Sequence, residues 1–284
     1  MRRLWIVGVV VAAVALAACS SPTGDASGPP AVGASLARVT EPDAVVTFPR
    51  SFQAARQVVA EVLTVRDADV EVSSARLDSP LFLDSPLRDS TVSLFAHWSN
   101  HVRLPLGTAA CPAREGPSTI VLSLTVDGRP VEERLAMDDA VLRKINSEEC
   151  AQQAVLDVAS PSFGPVESQN ALELHTSIVL TRGGSMPDAP VTLTSMTGNI
   201  VFNVALSETA NRVMDAGMST LAVPAMVTIA RCDPHVFAES KKTFVFPVRL
   251  AVGDAESAYV EIGPDATAQA ALQELFNSCG AAAN

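Results

Sequence analysis

Alternating apolar and polar positions are the main pattern of the chain after about residue 44. Every second residue from Leu172 to Leu180 faces one side, which predicts a strand with a single buried face. Two further runs alternate in the same way: Val92, Leu94, Ala96 and Trp98, and Ile200, Phe202, Val204 and Leu206. Residues 58–65 are apolar on both faces and predict a central strand. Pro247 lacks a ladder donor, so residues 243–252 predict an edge strand or a bulged one.

Helical spacing is clearest near the end of the chain. Leu272, Leu275, Phe276 and Cys279 recur at helical intervals, and Gly280 is expected to end that helix. Residues 138–149 are a second helical candidate. Short strands, turn residues and these helices together predict a mainly β fold. We expect two tandem β-sandwich (Ig-like) domains, each with a short helix near its C-terminal cysteine.

The first 19 residues form a different pattern. Arg2 and Arg3 precede an apolar run over residues 4–18, which is too short for an ordinary membrane-spanning helix. The run ends in Leu16-Ala17-Ala18-Cys19, and this sequence resembles the lipobox of bacterial lipoproteins. The resemblance implies that residues 1–18 are a cleaved signal peptide and that Cys19 receives a lipid, palmitate included. The alternative is an ordinary signal peptide followed by an incidental cysteine.

Residues 19–43 are rich in Ser, Pro, Gly and Ala and have no apolar period. Such a segment buries too little surface to offset the entropy of ordering, so it predicts a flexible tether. The lipobox and the tether together predict a protein that is lipid-anchored in the cell membrane and faces outside the cytoplasm. Two acyl chains are the number that stable anchoring requires.

An internal duplication is indicated by features that recur about 120 residues apart. Each copy has a cysteine (Cys111, Cys232), then a strand, a Gly/Asp turn and a helix that reaches a second cysteine (Cys150, Cys279). We therefore expect one β domain over residues 44–163 and another over residues 164–284.

The four cysteines left after Cys19 predict two disulfides in an exported chain, with three possible connectivities. The duplication favours pairing within each copy, Cys111 with Cys150 and Cys232 with Cys279. Pairing between the copies is the alternative.

Net charge limits the partners. The full chain carries −11, and both basic residues of the predicted signal peptide are lost on cleavage. This acidity argues against nucleic acid as a partner and leaves an envelope protein or a glycan as the expected partner, besides the membrane that the lipid would reach.

Common catalytic motifs are absent from the sequence: there is no Gly-x-Ser-x-Gly, Ser-x-x-Lys, His-Glu-x-x-His, Cys-x-x-Cys or phosphate-binding glycine loop. Residues 67–71 begin like a calcium loop but lack its later glycine and glutamate, which favours a solvated turn. His97 and His101 are four residues apart and could begin a metal site, but no third ligand is evident, which favours a polar strand face.

The densest polar cluster follows Cys232. His235, Glu239, Lys241 and Lys242 form a candidate ligand contact, with a structural turn and charged loop as the alternative. The chain resembles uncharacterised exported proteins of actinobacteria in this stretch, in its paired cysteines and in the lipobox. The resemblance does not point to any particular activity.

The sequence thus predicts an extracytoplasmic lipoprotein with a non-catalytic binding or scaffolding role, without a cofactor or metal. The alternative is an extracytoplasmic metal-dependent enzyme that uses His97, His101 or His235.

Overall fold

A computed structural model describes residues 44–65, 67–126, 128–183 and 189–282. The predicted signal peptide, the Cys19 lipidation site and the tether lie outside these ranges. The described chain is mainly β and is built from antiparallel sheets, which confirms the predicted fold class. No helix among the described residues is long and apolar enough to cross a membrane.

The first half of the described chain contains two helices and nine strands. They are β1 Ala44–Thr47, α1 Arg50–Gln53, β2 Gln57–Leu63, β3 Val70–Asp78, β4 Phe82–Leu83, β5 Arg88–Leu94, β6 Ser99–Pro105, β7 Thr108–Ala109, β8 Thr119–Val126, β9 Arg129–Ala136 and α2 Ala140–Leu156. One sheet has the strand order β1-β2-β6 and the other the order β5-β3-β8-β9, while β4 pairs with β7.

The second half follows with a similar set. Its elements are β10 Ala159–Phe163, β11 Ser168–Gln169, β12 Glu173–Arg182, β13 Val191–Met196, β14 Phe202–Leu206, β15 Val213–Met214, β16 Thr220–Ile229, α3 Pro234–Glu239, β17 Phe246–Val252, β18 Ala258–Ile262 and α4 Ala266–Ala282. Its sheets have the orders β10-β12-β16-β14 and β15-β13-β17-β18, and β11 pairs with β12.

The two halves share the order of seven strands, while β14 extends one sheet of the second half and the separate β4–β7 pair occurs in the first. Strands β1, β2 and β6 correspond to β10, β12 and β16, and β5-β3-β8-β9 corresponds to β15-β13-β17-β18. Each half then ends in a 17-residue helix, α2 or α4. This shared order is what the predicted duplication requires. It also fixes which loop of one half corresponds to which loop of the other.

The disulfides join Cys111 to Cys150 and Cys232 to Cys279, with Cα atoms 5.5 and 5.7 Å apart. The pairing within each copy is therefore confirmed. In both halves the bond ties the segment after a sheet strand to the closing helix.

Each half has its own group of buried apolar side chains, one from Ala44 to Ile145 and the other from Val155 to Phe276. Helix α2 contributes to both: Leu142 and Ile145 belong to the first core and Val155 to the second. The described residues fall within one compact unit. Strand β10 precedes residue 164 but pairs with β12, so it belongs to the sheet of the second half.

Several local predictions are confirmed. In β12, Leu174, Thr176, Ile178 and Leu180 are all buried, and β2 is the central strand of its sheet. The first residues of two predicted runs, Leu172 and Ile200, instead precede their strands and are exposed. In α4, the side chains of Leu272, Leu275 and Phe276 face the core. Amphipathic spacing succeeds here because each element has one core-facing side.

Three local predictions are wrong. The alternation from Val92 to Trp98 does not form one strand, because β5 ends at Leu94 and a turn follows. Strand β17 is not an edge strand. Pro247 lies near its start, where its carbonyl accepts from the N–H of Thr197 just beyond β13, and the bulge is in β13 instead. Gly280 does not end α4, which continues to Ala282.

Candidate functional site

The predicted ligand contact after Cys232 divides into separate pairs. Helix α3 begins after Asp233, whose Oδ1 accepts a hydrogen bond from the backbone N–H of His235 at 2.9 Å. One turn later, Glu239 Oε1 lies 3.2 Å from His235 Nε2. Both side chains are exposed, so this pair is a surface contact between neighbouring turns of a short helix.

Lys242 points to a different partner. Its Nζ lies 2.6 Å from Glu261 Oε1, which also accepts a hydrogen bond from the Tyr259 hydroxyl at 2.9 Å. Partial burial, together with the bond to Glu261, raises the pKa of Tyr259 to about 12. Burial acts to raise the pKa of Glu261, but the bonds from Lys242 and Tyr259 outweigh it and hold that pKa below its ordinary value. Lys241 is exposed.

The apolar side of the same segment has a structural role. The Phe237 ring stacks on Phe276 of α4 with centroids 4.3 Å apart and meets Phe244 edge-on at 5.9 Å. Helix α3 therefore covers one end of the second core, beside the Cys232–Cys279 disulfide. The structure does not gather His235, Glu239, Lys241 and Lys242 around a common point.

The histidines of the alternative hypothesis occupy different elements. His97 lies in the turn after β5, His101 is exposed on β6, and His235 starts α3. Among the described residues, no three His, Cys, Asp or Glu side chains form a group that is able to hold a metal ion. Asp67 and Asp69, from the stretch that begins like a calcium loop, lie in the turn before β3.

Two open grooves flank α2. One, of about 680 Å³, lies between α2 and strands β17 and β18, and its lining includes Lys144, Glu148, Arg249 and Tyr259. The other, of about 780 Å³, borders the Cys111–Cys150 disulfide. In the second groove Arg56 bonds both carboxylate oxygens of Glu149, at 2.5 and 3.1 Å, so these charges already satisfy each other.

A turn between β5 and β6 presents the largest exposed aromatic side chains of the described chain. We call residues 95–98 the aromatic turn. Trp98 is 69 % exposed and Phe95 is 55 % exposed, and Leu63, opposite Ser99 on the neighbouring strand, is 47 % exposed. Large apolar side chains grouped at a loop are typical of interaction surfaces.

Hydrogen bonds fix the backbone of the aromatic turn. The N–H of Trp98 donates to the carbonyl of Phe95 at 3.3 Å and closes the turn. Buried Asn100 donates to these two residues' carbonyls, at 2.9 Å to Trp98 and 3.2 Å to Phe95, and accepts from the Phe95 N–H at 2.9 Å. The hydroxyl of Thr64 also donates to the Phe95 carbonyl.

The preceding loop, between β2 and β3, holds the turn from the other side. Asp69 Oδ1 accepts from the Ala96 N–H at 2.9 Å, and Asp67 Oδ1 lies 3.1 Å from His97 Nε2. His97 has φ +55°, a left-handed conformation that costs a non-glycine residue about 1 kcal/mol or more. Asp67 and Asp69 therefore support a backbone conformation that is unfavourable for the residue at position 97.

The shared topology supplies a counterpart to this turn between β15 and β16. Residues 215–218, here called the glycine turn, are closed by the N–H of Met218 donating to the carbonyl of Asp215 at 3.1 Å. Gly217 takes the left-handed position with φ +83°. The Arg182 side chain donates to the carbonyls of Asp215 and Met218, both at 2.9 Å, as Thr64 and Asn100 do in the aromatic turn.

Sequence reasoning missed the aromatic turn because Ala96 and Trp98 continued the alternation of β5. The signal that locates it is the duplication. An offset of 120 residues aligns Phe95-Ala96-His97-Trp98 with Asp215-Ala216-Gly217-Met218, and the glycine in the second copy marks a turn.

Comparisons with known proteins show no family. No family model matches the chain, and no curated protein matches it. Among solved structures, red sea bream transglutaminase has 11% identity and a TM-score of 0.21 over 80% of this chain. The exo-β-D-glucosaminidase CsxA has 12% identity and a TM-score of 0.21 over 77%.

This chain spans 32% of the transglutaminase and 26% of the glucosaminidase. The CsuC–CsuE chaperone–adhesin complex of Acinetobacter baumannii has 10% identity and a TM-score of 0.19, over 73% of this chain and 91% of that one. At these TM-scores the three likenesses carry no argument about function.

Proposed function

We propose that this chain is a lipid-anchored, extracytoplasmic lipoprotein of the cell envelope with a non-catalytic binding role. The N-terminal sequence supports the location, through the basic start, the short apolar run and the lipobox that ends at Cys19. The two disulfides agree with an oxidising compartment, where such bonds persist.

The aromatic turn is the observation that supports a binding role. Trp98 and Phe95 are exposed, yet their backbone is held by buried Asn100 and by Asp69. A backbone that is already fixed loses little conformational freedom on binding, and an aromatic side chain has only two χ angles to order, so this turn favours recognition. The function proposed is therefore display of this turn at the membrane surface.

Anchoring is tested by metabolic labelling with an alkyne analogue of palmitate. We expect label on the native chain, which should fractionate with membranes, and neither property in a Cys19→Ala variant. A wild-type chain that carries no label and leaves the membrane fraction would contradict the anchor.

Binding is tested in cells with a photo-cross-linking amino acid at position 98. We expect defined cross-linked products from position 98 and none from the matched position 218 in the glycine turn. Equal products at both positions, or none at position 98, would count against a binding role for the aromatic turn. A metal ion at one equivalent per chain in the purified protein would instead favour the metal-dependent alternative.

A further inference from the structure

The aromatic turn differs from its counterpart in the residues that face solvent. Both turns have the same closing hydrogen bond and the same left-handed third residue. The glycine turn, however, has Asp215 and a half-buried Met218 at the positions of Phe95 and Trp98. The fold therefore does not require aromatic residues there.

His97 is a second difference between the aromatic turn and the glycine turn. Glycine fills the left-handed position without steric cost, as Gly217 does, whereas His97 keeps φ +55° and its Nε2 lies 3.1 Å from Asp67 Oδ1. Strained backbone that the surroundings maintain is concentrated at functional sites. The aromatic turn thus has both exposed apolar groups and a maintained strain, and the glycine turn has neither.

Acidic side chains lie on the elements next to the aromatic turn. Asp67, Asp69 and Glu71 are all exposed on the neighbouring loop and strand, and Glu61 is exposed on β2. Arg66 lies within that loop in sequence but outside the described residues. Carboxylates beside an indole ring favour a cationic group, because the ring face also attracts cations.

We propose that the aromatic turn binds a segment of a protein partner in which basic side chains flank apolar ones. This inference rests on the proposed binding function and adds the chemistry of the partner. Apolar side chains of the segment contact Trp98 and Phe95, and its Lys or Arg side chains approach Asp67 and Asp69.

Charge distinguishes this partner from two other occupants. A second copy docked turn to turn by two-fold symmetry would bring two acidic loops, each with Asp67 and Asp69, close together, which is unfavourable. A bilayer with anionic lipids would repel the same carboxylates. A basic and apolar peptide complements both the charge and the exposed rings.

Trp98 provides a direct signal for the test. The chain has two tryptophans, and a chain that begins at Ser20 lacks Trp5 and keeps Trp98 alone. Both cores and both disulfides lie within residues 44–282, so this chain keeps what the described fold depends on. The probe is a synthetic peptide of repeated Leu-Lys-Lys-Leu units, and its control replaces each Lys by Glu.

We expect the lysine peptide to shift Trp98 fluorescence with saturation and the glutamate peptide to leave it unchanged. The decisive variant gives the aromatic turn the residues of the glycine turn: Phe95→Asp, His97→Gly and Trp98→Met together. Calorimetry should show affinity for the lysine peptide falling by at least about tenfold. Because this variant is more acidic than the wild type, nonspecific attraction to the lysines does not explain a loss.

Two matched variants complete the design. Asp67→Asn with Asp69→Asn should weaken binding and reduce its dependence on salt, since the amide at position 69 keeps an acceptor for the Ala96 N–H. Leu172→Asp removes another exposed leucine outside the turn and should leave the affinity unchanged. Circular dichroism confirms that each variant is folded.

Four results would overturn the proposal: equal binding of the two peptides, unchanged affinity in the exchanged turn, binding to phosphatidylglycerol vesicles without peptide binding, or a dimer that the exchanged turn abolishes. Loss of charge preference with cross-linking intact at position 98 would refute the partner chemistry alone. Loss of that cross-linking would refute the proposed function.

Discussion

The two halves of the molecule share a topology but differ in how they use one turn. In the first half the turn between β5 and β6 exposes Trp98 and Phe95, whereas the second half places a half-buried Met218 and Asp215 at the matching positions. The supports differ as well: buried Asn100 fixes the first turn, and the guanidinium of Arg182 fixes the second. Comparing the two halves thus distinguishes the turn geometry that both share from the exposed aromatic residues that occur in the first half.

The largest expected effect concerns the two disulfides, which occupy equivalent places in the two halves. They close loops of 39 and 47 residues, so each should contribute about 4 kcal/mol to the free energy of unfolding through chain entropy. We expect Cys111→Ala/Cys150→Ala and Cys232→Ala/Cys279→Ala to lose similar amounts in urea unfolding. A difference of several kcal/mol between the pairs would break the equivalence of the halves.

The turn supports should give the next largest effect. Asn100→Ala removes the side-chain donors to the carbonyls of Phe95 and Trp98 at a buried position, and we expect a loss of about 2–3 kcal/mol. Arg182→Ala removes bonds to the carbonyls of Asp215 and Met218 and also to those of Ala189 and Met214, so its loss should be similar, about 2–3 kcal/mol. Denaturant unfolding of both variants checks this, and a loss below about 1 kcal/mol in either would contradict it.

Substitution of the two left-handed residues, Gly217 and His97, should change the stability by different amounts. Gly217→Ala introduces a Cβ at φ +83° and should cost about 1 kcal/mol, although no atom lies within 4 Å of that Cβ. His97→Gly relieves the same strain but loses the contact with Asp67, so we expect a change within about 0.5 kcal/mol. Thermal melts measure both. A large loss in His97→Gly would mean that the imidazole, and not the turn shape, stabilises the first half.

The smallest expected effect depends on pH and belongs to the second half. Because the pKa of Glu261 is lowered in the folded state, its carboxylate stabilises the fold above the ordinary glutamate pKa. That contribution disappears as the pH falls through the lowered value. Glu261→Gln should therefore reduce the melting temperature slightly at pH 7, and the reduction should shrink as the pH falls below the ordinary glutamate pKa. A reduction that does not change with pH would assign the effect to packing.

Periodicity predicted the parts of the fold that have one buried side. The face of β12 and the face of α4 follow directly from spacing, because burial selects apolar residues at those positions. The pattern of Val92 to Trp98 failed since periodicity does not distinguish an apolar side chain that is buried from one that is exposed. Trp98 fits the alternation of β5 and yet lies in solvent.

The candidate site was harder to predict for a different reason. Asn100 bonds backbone groups of the turn directly before it, but Thr64 and Asp69 bond that turn from an earlier loop, and periodicity encodes neither kind of contact. The duplication, by contrast, was readable. It led to the correct disulfide pairs and, extended to position 97, aligns a histidine with the glycine that marks the turn.

Helix α2 has a consequence for how the molecule melts. It is covalently tied to Cys111 of the first half, and its two ends are embedded in different cores through Leu142 and Val155. Loss of either core would expose the apolar side chains that α2 buries there. The helix would become less stable, and the other core also packs against it. The two halves should therefore lose their structure in a single cooperative transition, with equal calorimetric and van't Hoff enthalpies, despite their separate sheets.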